Sequence, residues 1–331
     1  MRKHLLLFLI GGNRLQKRSR CWKHRHGILN VLILLFSAVA VCAAVYLVQQ
    51  LWLYPRQNTS VIRKAQQIYS RQSDSALSSS GSSAVQKGTN TLESLHAKNA
   101  DIVGWVRYPG TVINYPVVRE SAGSSGFYLH HNYLKEASNH GSIFLPAGAK
   151  PAVDRSLLLY GHNMKDGQMF HSLANLTLSQ LRQNPVVYFD TGSGLQAYKI
   201  FAYLKTNTQA SQGNVFPYAS VSPKSGQEVL QFAYALAIRS VYRFPVNVQG
   251  TDQLLLLSTC SYEFPDFRTV LAARRVRTGE TSTVNAAAIS ASGKTLYPDC
   301  WYASHGGTKP VWPVAYTEAK KQEQLPWPAK G

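Results

Sequence analysis

The sequence has few cysteines and few acidic residues. It contains four Cys in 331 residues, and 16 Asp and Glu against 35 Lys and Arg, for a net charge of +19. So few cysteines exclude a disulfide-dense secreted scaffold. Charged residues make up 15% of the chain and apolar residues 45%. This composition excludes an intrinsically disordered chain, because disorder requires low hydrophobicity and a high density of charge.

Motifs that bind metals and nucleotides are also missing. There is no Cys-x-x-Cys and no His-x-x-x-His pair, so a zinc site built from His162, His171 and Cys260 is a poor interpretation. No Gly-rich loop leads from a predicted strand into a helix, as a phosphate-binding loop would require. We therefore expect neither a metal nor a cofactor.

The positive charge is concentrated in front of a long apolar segment. Residues 1–26 contain eight Lys and Arg and no acid, and residues 27–48 carry no charge. A helix over 27–48 is long enough to cross the ~30 Å apolar core of a bilayer. Positively charged flanks stay in the cytoplasm, which places the rest of the chain on the outer side of the cell membrane. Because these charges adjoin a membrane span, they are a poor nucleic-acid-binding arm, and we expect no nucleic-acid partner.

A retained anchor explains the apolar segment better than a cleaved signal peptide does. Signal peptides have apolar cores of about 7–15 residues, and no small-x-small cleavage site follows this longer run. We predict a basic cytoplasmic segment (1–26), a transmembrane signal-anchor helix (27–48) and an extracellular stalk with a Ser-rich linker (49–90). A folded domain (91–277) and a C-terminal extension (278–331) follow, and the sequence of the extension indicates no role.

Short runs of β-forming residues between turn residues dominate the folded domain. This pattern is typical of a barrel or a sandwich, so the predicted fold is mainly β. Helical patterns occur at 56–70, Met169–Arg182 and Gly226–Tyr242. In the last of these, Glu228 lies near the start and Arg239 near the end, which suits the helix dipole. The predicted strands are Gly104–Gly110, Val112–Val118, Ser142–Leu145, Ser156–Tyr160, Val186–Phe189, Tyr198–Leu204, Gln253–Ser258 and Thr269–Val276.

Two reactive side chains each follow an apolar strand. Cys260 ends the run Gln253–Cys260, and His162 comes shortly after Leu157–Tyr160. A cysteine nucleophile needs a nearby imidazole, which accepts the thiol proton or stabilises the thiolate. The two residues meet that requirement if their strands are neighbours. Taken alone, Cys260 is also compatible with a small buried side chain or with a disulfide to Cys300.

Acyl transfer also needs a group that stabilises the oxyanion. Arg268 begins the next apolar run after Cys260, so a hairpin between the two strands would place its guanidinium beside the sulfur. A solvated charge at a strand edge is the alternative for Arg268. In papain-like hydrolases the cysteine precedes the histidine in the chain, the reverse of the order here. The remaining histidines after the span are expected to be structural, and they are His96, His130, His131, His140, His171 and His305.

Taken together, these features resemble the sortases, and class B in particular. The resemblance runs from about Asn99 to Thr278, and its combination of motifs is highly specific. The helix before the Cys260 strand is similar to one that class B members insert there. The matching motifs are Lys98–Trp105, Tyr115–Val118, Phe127–Asn132, Gly141–Phe144, Tyr160–Gly167 with Met169–Phe170, Leu257–Phe264, and Arg268 at the head of the last strand.

The resemblance implies a closed eight-stranded sortase β-barrel with N-terminal helices, on the outer face of a Gram-positive cell. It implies that Cys260 attacks the Thr carbonyl of a sorting signal similar to Asn-Pro-x-Thr-Asn or Asn-Pro-x-Thr-Gly on a surface protein or pilin. His162 would protonate the departing amine, and Arg268 would stabilise the oxyanion. An amine of peptidoglycan or of a pilin lysine would then resolve the thioacyl-enzyme.

Four further residues are weaker candidates for substrate contacts, namely Ser258, Thr259, Asn163 and Glu263. Two other functions stay open beside transpeptidation. One is a tethered, non-catalytic β-barrel binding module, and the other is a thiol hydrolase that releases surface proteins. The extension departs from the family pattern, because sortases usually end soon after the strand equivalent to Thr269–Val276. It would either dock over the active-site groove or trail away from it.

Overall fold

A computed structural model of the chain describes residues 29–78 and 91–328, with side chains described for 29–71 and 91–328. The predicted basic segment (1–26) and the end of the Ser-rich linker (79–90) lie outside the described residues. The chain divides into two compact units, Met1–Gln57 and Asn58–Gly331.

The first unit is helical where it is described. A helix that is long and apolar enough to cross a membrane runs over Leu29–Arg71. It contains a π-helical turn at Gln49–Leu53. Near this turn, the Arg56 guanidinium lies 4.6 Å from the centroid of the Trp52 ring. Large apolar side chains over 29–53 are exposed.

Helix α1 (Tyr54–Ser78) extends well beyond the helix predicted over 56–70. In the second unit it packs on the barrel through Ala65 and Tyr69, which are both buried. The Tyr69 ring stacks on Trp105 at 4.4 Å between centroids. Its hydroxyl donates to the buried carboxylate of Asp190 at 2.8 Å. The compact unit therefore begins at Asn58, upstream of residue 91.

We expect Tyr69→Ala to lower the free energy of unfolding by about 3–5 kcal/mol, because it removes a buried aromatic ring and leaves a cavity. Tyr69→Phe keeps the stack on Trp105 and removes the hydroxyl that donates to Asp190, so its cost should be about 1–2 kcal/mol. Urea denaturation of the full chain in detergent micelles measures both. Equal losses in the two variants would contradict a contribution from the stack.

Among the described residues, eight strands close into a barrel in the order β1-β2-β3-β4-β8-β9-β6-β5. This confirms the predicted mainly β, eight-stranded barrel, and each of its strands overlaps a predicted one. Strands β7 (Tyr242–Arg243) and β10 (Ser290–Ala291) pair separately. The barrel strands are β1 (Ile102–Arg107), β2 (Asn114–Arg119), β3 (Ile143–Leu145), β4 (Ser156–Tyr160), β5 (Val186–Asp190), β6 (Gln196–Thr206), β8 (Leu254–Ser261) and β9 (Phe267–Arg275).

Five further helices accompany the barrel in the described part of the chain. The helix Gly226–Ala237 lies in the connection between β6 and β8, where the sequence predicted an inserted helix. The five are α2 (Glu93–His96), α3 (Leu178–Gln183), α4 (Gly226–Ala237), α5 (Asp299–His305) and α6 (Tyr316–Lys321).

The single helix predicted over Met169–Arg182 is wrong. A 3-10 turn at His171–Leu173 is followed by a separate α3. Thr177 has extended backbone (φ −83°, ψ 160°) and forms a capping box with Gln180, so a new helix starts there. The apolar spacing across this region arises from two short elements that bury the same side of the chain.

The third predicted helix, Gly226–Tyr242, is confirmed at its start and too long at its end. Ser225 caps α4 by accepting from the Glu228 backbone N–H, and Glu228 lies in the first turn, as the charge pattern predicted. The helix ends at Ala237 because the following residues return to the sheet. The Ser240 hydroxyl accepts from the backbone N–H of Tyr203 on β6 at 2.9 Å.

The described part of the C-terminal extension is docked on the barrel and on α4. Ile289, Tyr316, Ala319 and Trp327 are buried and belong to the same apolar core as the barrel. Helix α6 packs against α4. Burial of these side chains stabilises the docked arrangement, so the extension is an integral layer of the structure.

Glu280 fastens the start of the extension to the barrel. Arg274, which is 1% exposed, donates to both of its carboxylate oxygens at 2.6 and 2.7 Å. Lys199 donates to it at 2.6 Å. The hydrogen bonds from Arg274 and Lys199 hold the pKa of Glu280 well below its usual range, although partial burial opposes them. The ionised carboxylate therefore stabilises the fold above the pKa of the unfolded chain, and that stabilisation is lost as the pH falls through the lowered pKa.

We expect Glu280→Gln to lower the free energy of unfolding by about 3 kcal/mol at pH 7, because Arg274 loses its main anionic partner while it stays buried. At pH 3 the loss should be smaller, since the parent has by then lost part of the same stabilisation. Urea denaturation at both pH values checks this, with the exposed Glu318→Gln as the control. An equal loss at both pH values would contradict the assignment.

Candidate active site

His162, Cys260 and Arg268 lie level with one another at the end of three adjacent strands. Strand β4 runs parallel to β8 with Tyr160 opposite Ser258, and two residues further along lie His162 and Cys260. Strand β9 is antiparallel to β8, with Arg268 directly opposite Cys260. Neighbouring strands are about 4.8 Å apart, and level residues project to the same face. The row places an imidazole on one side of the thiol and a guanidinium on the other.

Close packing at Gly161 explains how His162 is brought to this row. A Cβ at this position would lie 2.5 Å from Ile143 Cδ1 and 2.7 Å from Phe170 Cδ2. A side chain would therefore push the turn away from the barrel. The Gly161 backbone N–H donates to the Ser258 carbonyl at 3.2 Å, which continues the β4–β8 pairing up to His162.

The hydrogen bonding of His162 defines its neutral tautomer. Its Nε2 atom lies 2.8 Å from the carbonyl oxygen of Leu129. A carbonyl only accepts, so we assign the proton of the neutral ring to Nε2. The other nitrogen, Nδ1, then carries the lone pair that can accept a proton from a thiol. In the doubly protonated ring, Nδ1–H is the acid that can return it.

Asn163 ties the histidine loop to the nucleophile strand. It is buried, and its Nδ2 donates to the Cys260 carbonyl at 2.9 Å. Its Oδ1 accepts from His171 Nδ1 at 2.8 Å. The Tyr262 hydroxyl donates to the Asn163 carbonyl at 3.0 Å. Through these bonds, Asn163 and His171 position the histidine loop against the nucleophile strand. The sequence did not predict this role for His171.

The guanidinium of Arg268 is oriented by the loop between β8 and β9. Its Nη1 donates to the carbonyls of Asp266 and Phe267 at 3.1 and 3.0 Å. Asp266 has a positive φ of 56°, which turns its carbonyl toward the arginine. Among the described residues, these are the hydrogen bonds of Arg268, so its other N–H groups can donate to an oxyanion in front of Cys260.

Tyr218 is a neighbour of the row that the sequence did not reveal. It lies in the irregular segment after β6, and its hydroxyl is 2.8 Å from Ser258 Oγ. Burial raises the pKa of Tyr218 above its ordinary value. The hydrogen bond to Ser258 and the nearby Arg268 charge act in the opposite direction and offset only part of this rise. Ser258 is only 1% exposed. It therefore supports Tyr218 from beneath the surface of the groove.

Thr259 and Glu263 are engaged within the protein. The Thr259 hydroxyl donates to the Gly161 carbonyl at 2.8 Å, and its side chain projects to the opposite face from Cys260. Glu263 is bonded to Lys205 and to the Ser261 hydroxyl. Burial raises its pKa, but these two bonds outweigh that and hold the pKa of Glu263 below its usual range. Both residues stabilise the walls around the nucleophile.

A cavity of about 380 Å³ follows the face of β4 away from the row. It lies between the loop 146–150 and the segment 218–224, and Leu158 and Tyr218 are among its lining residues. Leu158, Tyr160 and His162 alternate along one face of the chain, so the cavity lies on the face of β4 from which His162 projects. A larger cavity of about 830 Å³ lies at the opposite end of β8 and β9, beside Gln253 and Arg275. It is remote from the reactive row.

The extension contacts the loop that follows Cys260. The centroid of the Phe264 ring lies 4.8 Å from the centroid of the Phe267 ring. It lies 6.2 Å from the ring centroids of both Trp301 and His305 on α5. The described part of the extension therefore braces the β8–β9 loop. Cys260 and Cys300 are both free thiols. In the described part of the chain, no group of three or more His, Cys, Asp or Glu could hold a metal ion.

Comparisons with known proteins give a consistent family. A sortase-domain family model matches residues 106–276. Sortase B of Listeria monocytogenes is 33% identical over 174 residues, which cover 52% of this chain and 68% of that protein. Sortase B of Staphylococcus aureus is 30% identical over 190 residues, which cover 56% of this chain and 75% of that protein.

Solved structures show the same similarity. A Staphylococcus aureus sortase B–substrate complex superposes with a TM-score of 0.58 at 27% identity, over 69% of this chain and 100% of that chain. Sortase B from B. anthracis in complex with AAEK1 gives a TM-score of 0.55 at 27% identity, over 68% of this chain and 99% of that chain.

Proposed function

Because the chain belongs to the sortase family, and to its class B, a group of cysteine transpeptidases that anchor surface proteins, we propose that Cys260, His162 and Arg268 are its catalytic residues. The observation that carries this proposal is the level row across β4, β8 and β9. Nucleophile, proton carrier and oxyanion donor are the three functions that acyl transfer requires. A non-catalytic binding module would have no need to align them.

In the first half-reaction, the Cys260 thiol gives its proton to His162 Nδ1 and the thiolate attacks the Thr carbonyl of the sorting signal. The carbonyl oxygen becomes an oxyanion, and Arg268 donates hydrogen bonds to it. When the intermediate collapses, the Thr–x peptide bond breaks. His162 Nδ1–H protonates the departing amine, and the protein remains as a thioester on Cys260.

In the second half-reaction, an acceptor amine attacks the thioester carbonyl. His162 Nδ1 takes a proton from the attacking nitrogen, and Arg268 again stabilises the oxyanion. Expulsion of the Cys260 thiolate forms the new amide bond and regenerates the enzyme. Water could resolve the same thioester, and that competing reaction would make the protein a releasing hydrolase.

The substrates follow from the same proposal. We infer a sorting signal similar to Asn-Pro-x-Thr-Asn or Asn-Pro-x-Thr-Gly on a surface protein or pilin, lying in the cavity beside Leu158 and Tyr218. The acceptor is an amine of peptidoglycan or of a pilin lysine. Ser258 supports the groove through Tyr218, and Asn163, Thr259 and Glu263 hold the loops that carry the reacting groups.

The location of the enzyme is part of the proposal. The helix Leu29–Arg71 has the length and composition of a membrane anchor, with the basic segment 1–26 on the cytoplasmic side and the barrel outside. After that segment, 27 of the 35 Lys and Arg remain with all 16 acids, a net charge of +11. Such an excess suits work beside an anionic cell envelope.

A peptide library tests the proposed function. The full chain in detergent micelles is incubated with quenched Asn-Pro-x-Thr-x peptides, with and without triglycine as the amine. We expect cleavage after Thr and, when triglycine is present, a ligated product identified by mass. Cleavage at the same rate with no ligated product would indicate the hydrolase. Absence of cleavage across the library would contradict the proposal.

A further inference from the structure

A two-lobed pocket lies between α4 and the C-terminal extension. The larger lobe has a volume of about 560 Å³, and the segment Lys309–Val314 forms one of its walls. The smaller lobe has a volume of about 110 Å³. The two lobes share four lining residues, which are Phe216, Arg239, Leu296 and Lys309. We call this space the extension pocket.

The outer wall of the pocket is held in place by hydrogen bonds to α4 and to the extension itself. The Tyr234 hydroxyl donates to the Pro313 carbonyl at 2.8 Å. Gln231 Nε2 donates to the Val314 carbonyl at 3.2 Å. Trp312 Nε1 donates to the Lys294 carbonyl at 3.0 Å. The wall is therefore preformed, which lowers the entropy cost of binding a ligand.

Arg239, Lys309 and Asp299 are the charged residues that line the pocket. Lys309 donates to the Asp299 carboxylate at 2.5 Å, so these two charges pair with each other and Arg239 is the remaining one. Its guanidinium lies 4.2 Å from the centroid of the Phe216 ring, and its Nη1 donates to the Ala235 carbonyl at 2.8 Å. It forms no salt bridge with any acid among the described residues. Burial lowers the pKa of Arg239 to about 10, so it is still a cation at neutral pH. A cation that has no acidic partner, beside the Phe216 ring and the Leu296 side chain, favours an anion, and a carboxylate pairs with the guanidinium fork.

The smaller lobe adjoins the catalytic row. One of its lining residues, Thr206, lies opposite Arg268 in the β6–β9 register. Since Arg268 lies opposite Cys260, Thr206 is two strands, or about 10 Å, from the nucleophile. Phe216 also connects the two places, because its ring centroid lies 6.2 Å from that of Tyr218.

The smaller lobe also contains an unsatisfied hydrogen-bond acceptor. Asn207 is among its lining residues and is 1% exposed. Its Nδ2 donates to the carbonyls of Gln209 and Gly213. Its Oδ1 has no hydrogen-bond partner in the described part of the chain. A buried acceptor of this kind gains most from a ligand that brings an N–H group.

We propose that the extension pocket binds the acceptor substrate of transpeptidation as a short peptide that ends in a carboxylate. The carboxylate pairs with Arg239, an amide N–H donates to Asn207 Oδ1, and the amine at the other end reaches the thioester on Cys260. Thr206 and Arg239 line the same lobe, and a tripeptide spans about 10 Å when extended, which is comparable with the two-strand separation of Thr206 from Cys260. This assignment rests on the proposed function, because it names the second substrate of the same reaction.

Ligation kinetics with matched acceptors test the proposal. The full chain in detergent micelles is given a cleavable sorting peptide and either Gly-Gly-Phe or Gly-Gly-Phe amide, which differ only in the terminal charge. We expect the KM for Gly-Gly-Phe to be about tenfold lower, the effect of one charged hydrogen-bonded pair. Arg239→Gln should remove this difference. Arg243→Gln, which changes an exposed arginine on β7, should preserve it.

Binding without chemistry separates this proposal from the proposed function. Calorimetry on the full-length Cys260→Ala variant should show Gly-Gly-Phe binding more tightly than its amide, and the added Arg239→Gln substitution should abolish the preference. This result supports the pocket even if no ligation is found. Equal binding of acid and amide overturns it. If Arg239→Gln fails to fold, as judged by its thermal unfolding, the acid–amide comparison in the Arg239-containing protein decides.

Discussion

The Cys260→Ala variant should lose sorting-peptide cleavage by a factor of at least about 10⁴, since removal of a covalent nucleophile leaves only the binding and oxyanion contributions. The substitution deletes one partly exposed sulfur at the end of β8, whose pairing with β4 and β9 is made by the backbone. Stability should therefore change little. The rate is measured as kcat/KM with a quenched peptide from the library.

Cys300→Ala is the matched control for this prediction. Cys300 is a second partly exposed free thiol in the same compact unit, and burial raises the pKa of its thiol, which disfavours the thiolate. We expect its kcat/KM to equal that of the parent within about twofold, because the Cys300 thiol has no part in the proposed reaction. Cleavage by Cys260→Ala at the parental rate would show that the nucleophile is another group.

The His162→Gln variant should lose about 10³-fold in kcat/KM, within the range measured for general acid–base groups. Glutamine can still donate a hydrogen bond toward the Leu129 carbonyl, so the loop should keep its position. What disappears is the proton carrier at the position of Nδ1. The loss should be present in both cleavage and ligation, because the same nitrogen serves both half-reactions.

His96→Gln is the control for the histidine experiment, since His96 is an exposed residue of α2. It should leave kcat/KM unchanged. If His162→Gln retained parental cleavage and ligation, the imidazole would have no role in proton transfer, and the level row would be a structural coincidence.

The strands and the reactive pair were predictable because their signals are local. Each barrel strand is a short apolar run between turn residues, and such runs can be recognised in the sequence without knowledge of the fold. Cys260 and His162 each follow one of these runs. The hairpin between β8 and β9 then made Arg268 a candidate, because an antiparallel register follows directly from a short connection.

The rest of the site depends on contacts between distant parts of the chain. Tyr218 and Asn207 lie in an irregular segment, and only the folded structure brings them near β8 and β9. Residue type favoured Thr259 and Glu263 as substrate contacts, but burial and internal hydrogen bonds occupy them. The burial and the hydrogen-bond partners of a side chain depend on tertiary packing. The periodicity of apolar residues along the sequence does not reveal them.

The lengths of the helices and the docking of the extension could not be predicted from the sequence either. Helix α1 owes its position on the barrel to Tyr69 and its contacts with Trp105 and Asp190. The extension has no sustained apolar period, yet Ile289 and Trp327 are buried in the common core. Tertiary burial can order a segment whose own sequence pattern is weak.

The position of the acyl group on the enzyme during turnover tests the central claim most directly. The full chain is mixed with a cleavable sorting peptide without an amine, quenched in acid and digested, and the acyl group is located by mass spectrometry. We predict an adduct equal to the peptide up to Thr, attached to Cys260 and discharged into ligated product when triglycine is added. A ligated product that forms with no acyl group on Cys260, or an acyl group on Cys300 in its place, would contradict the account.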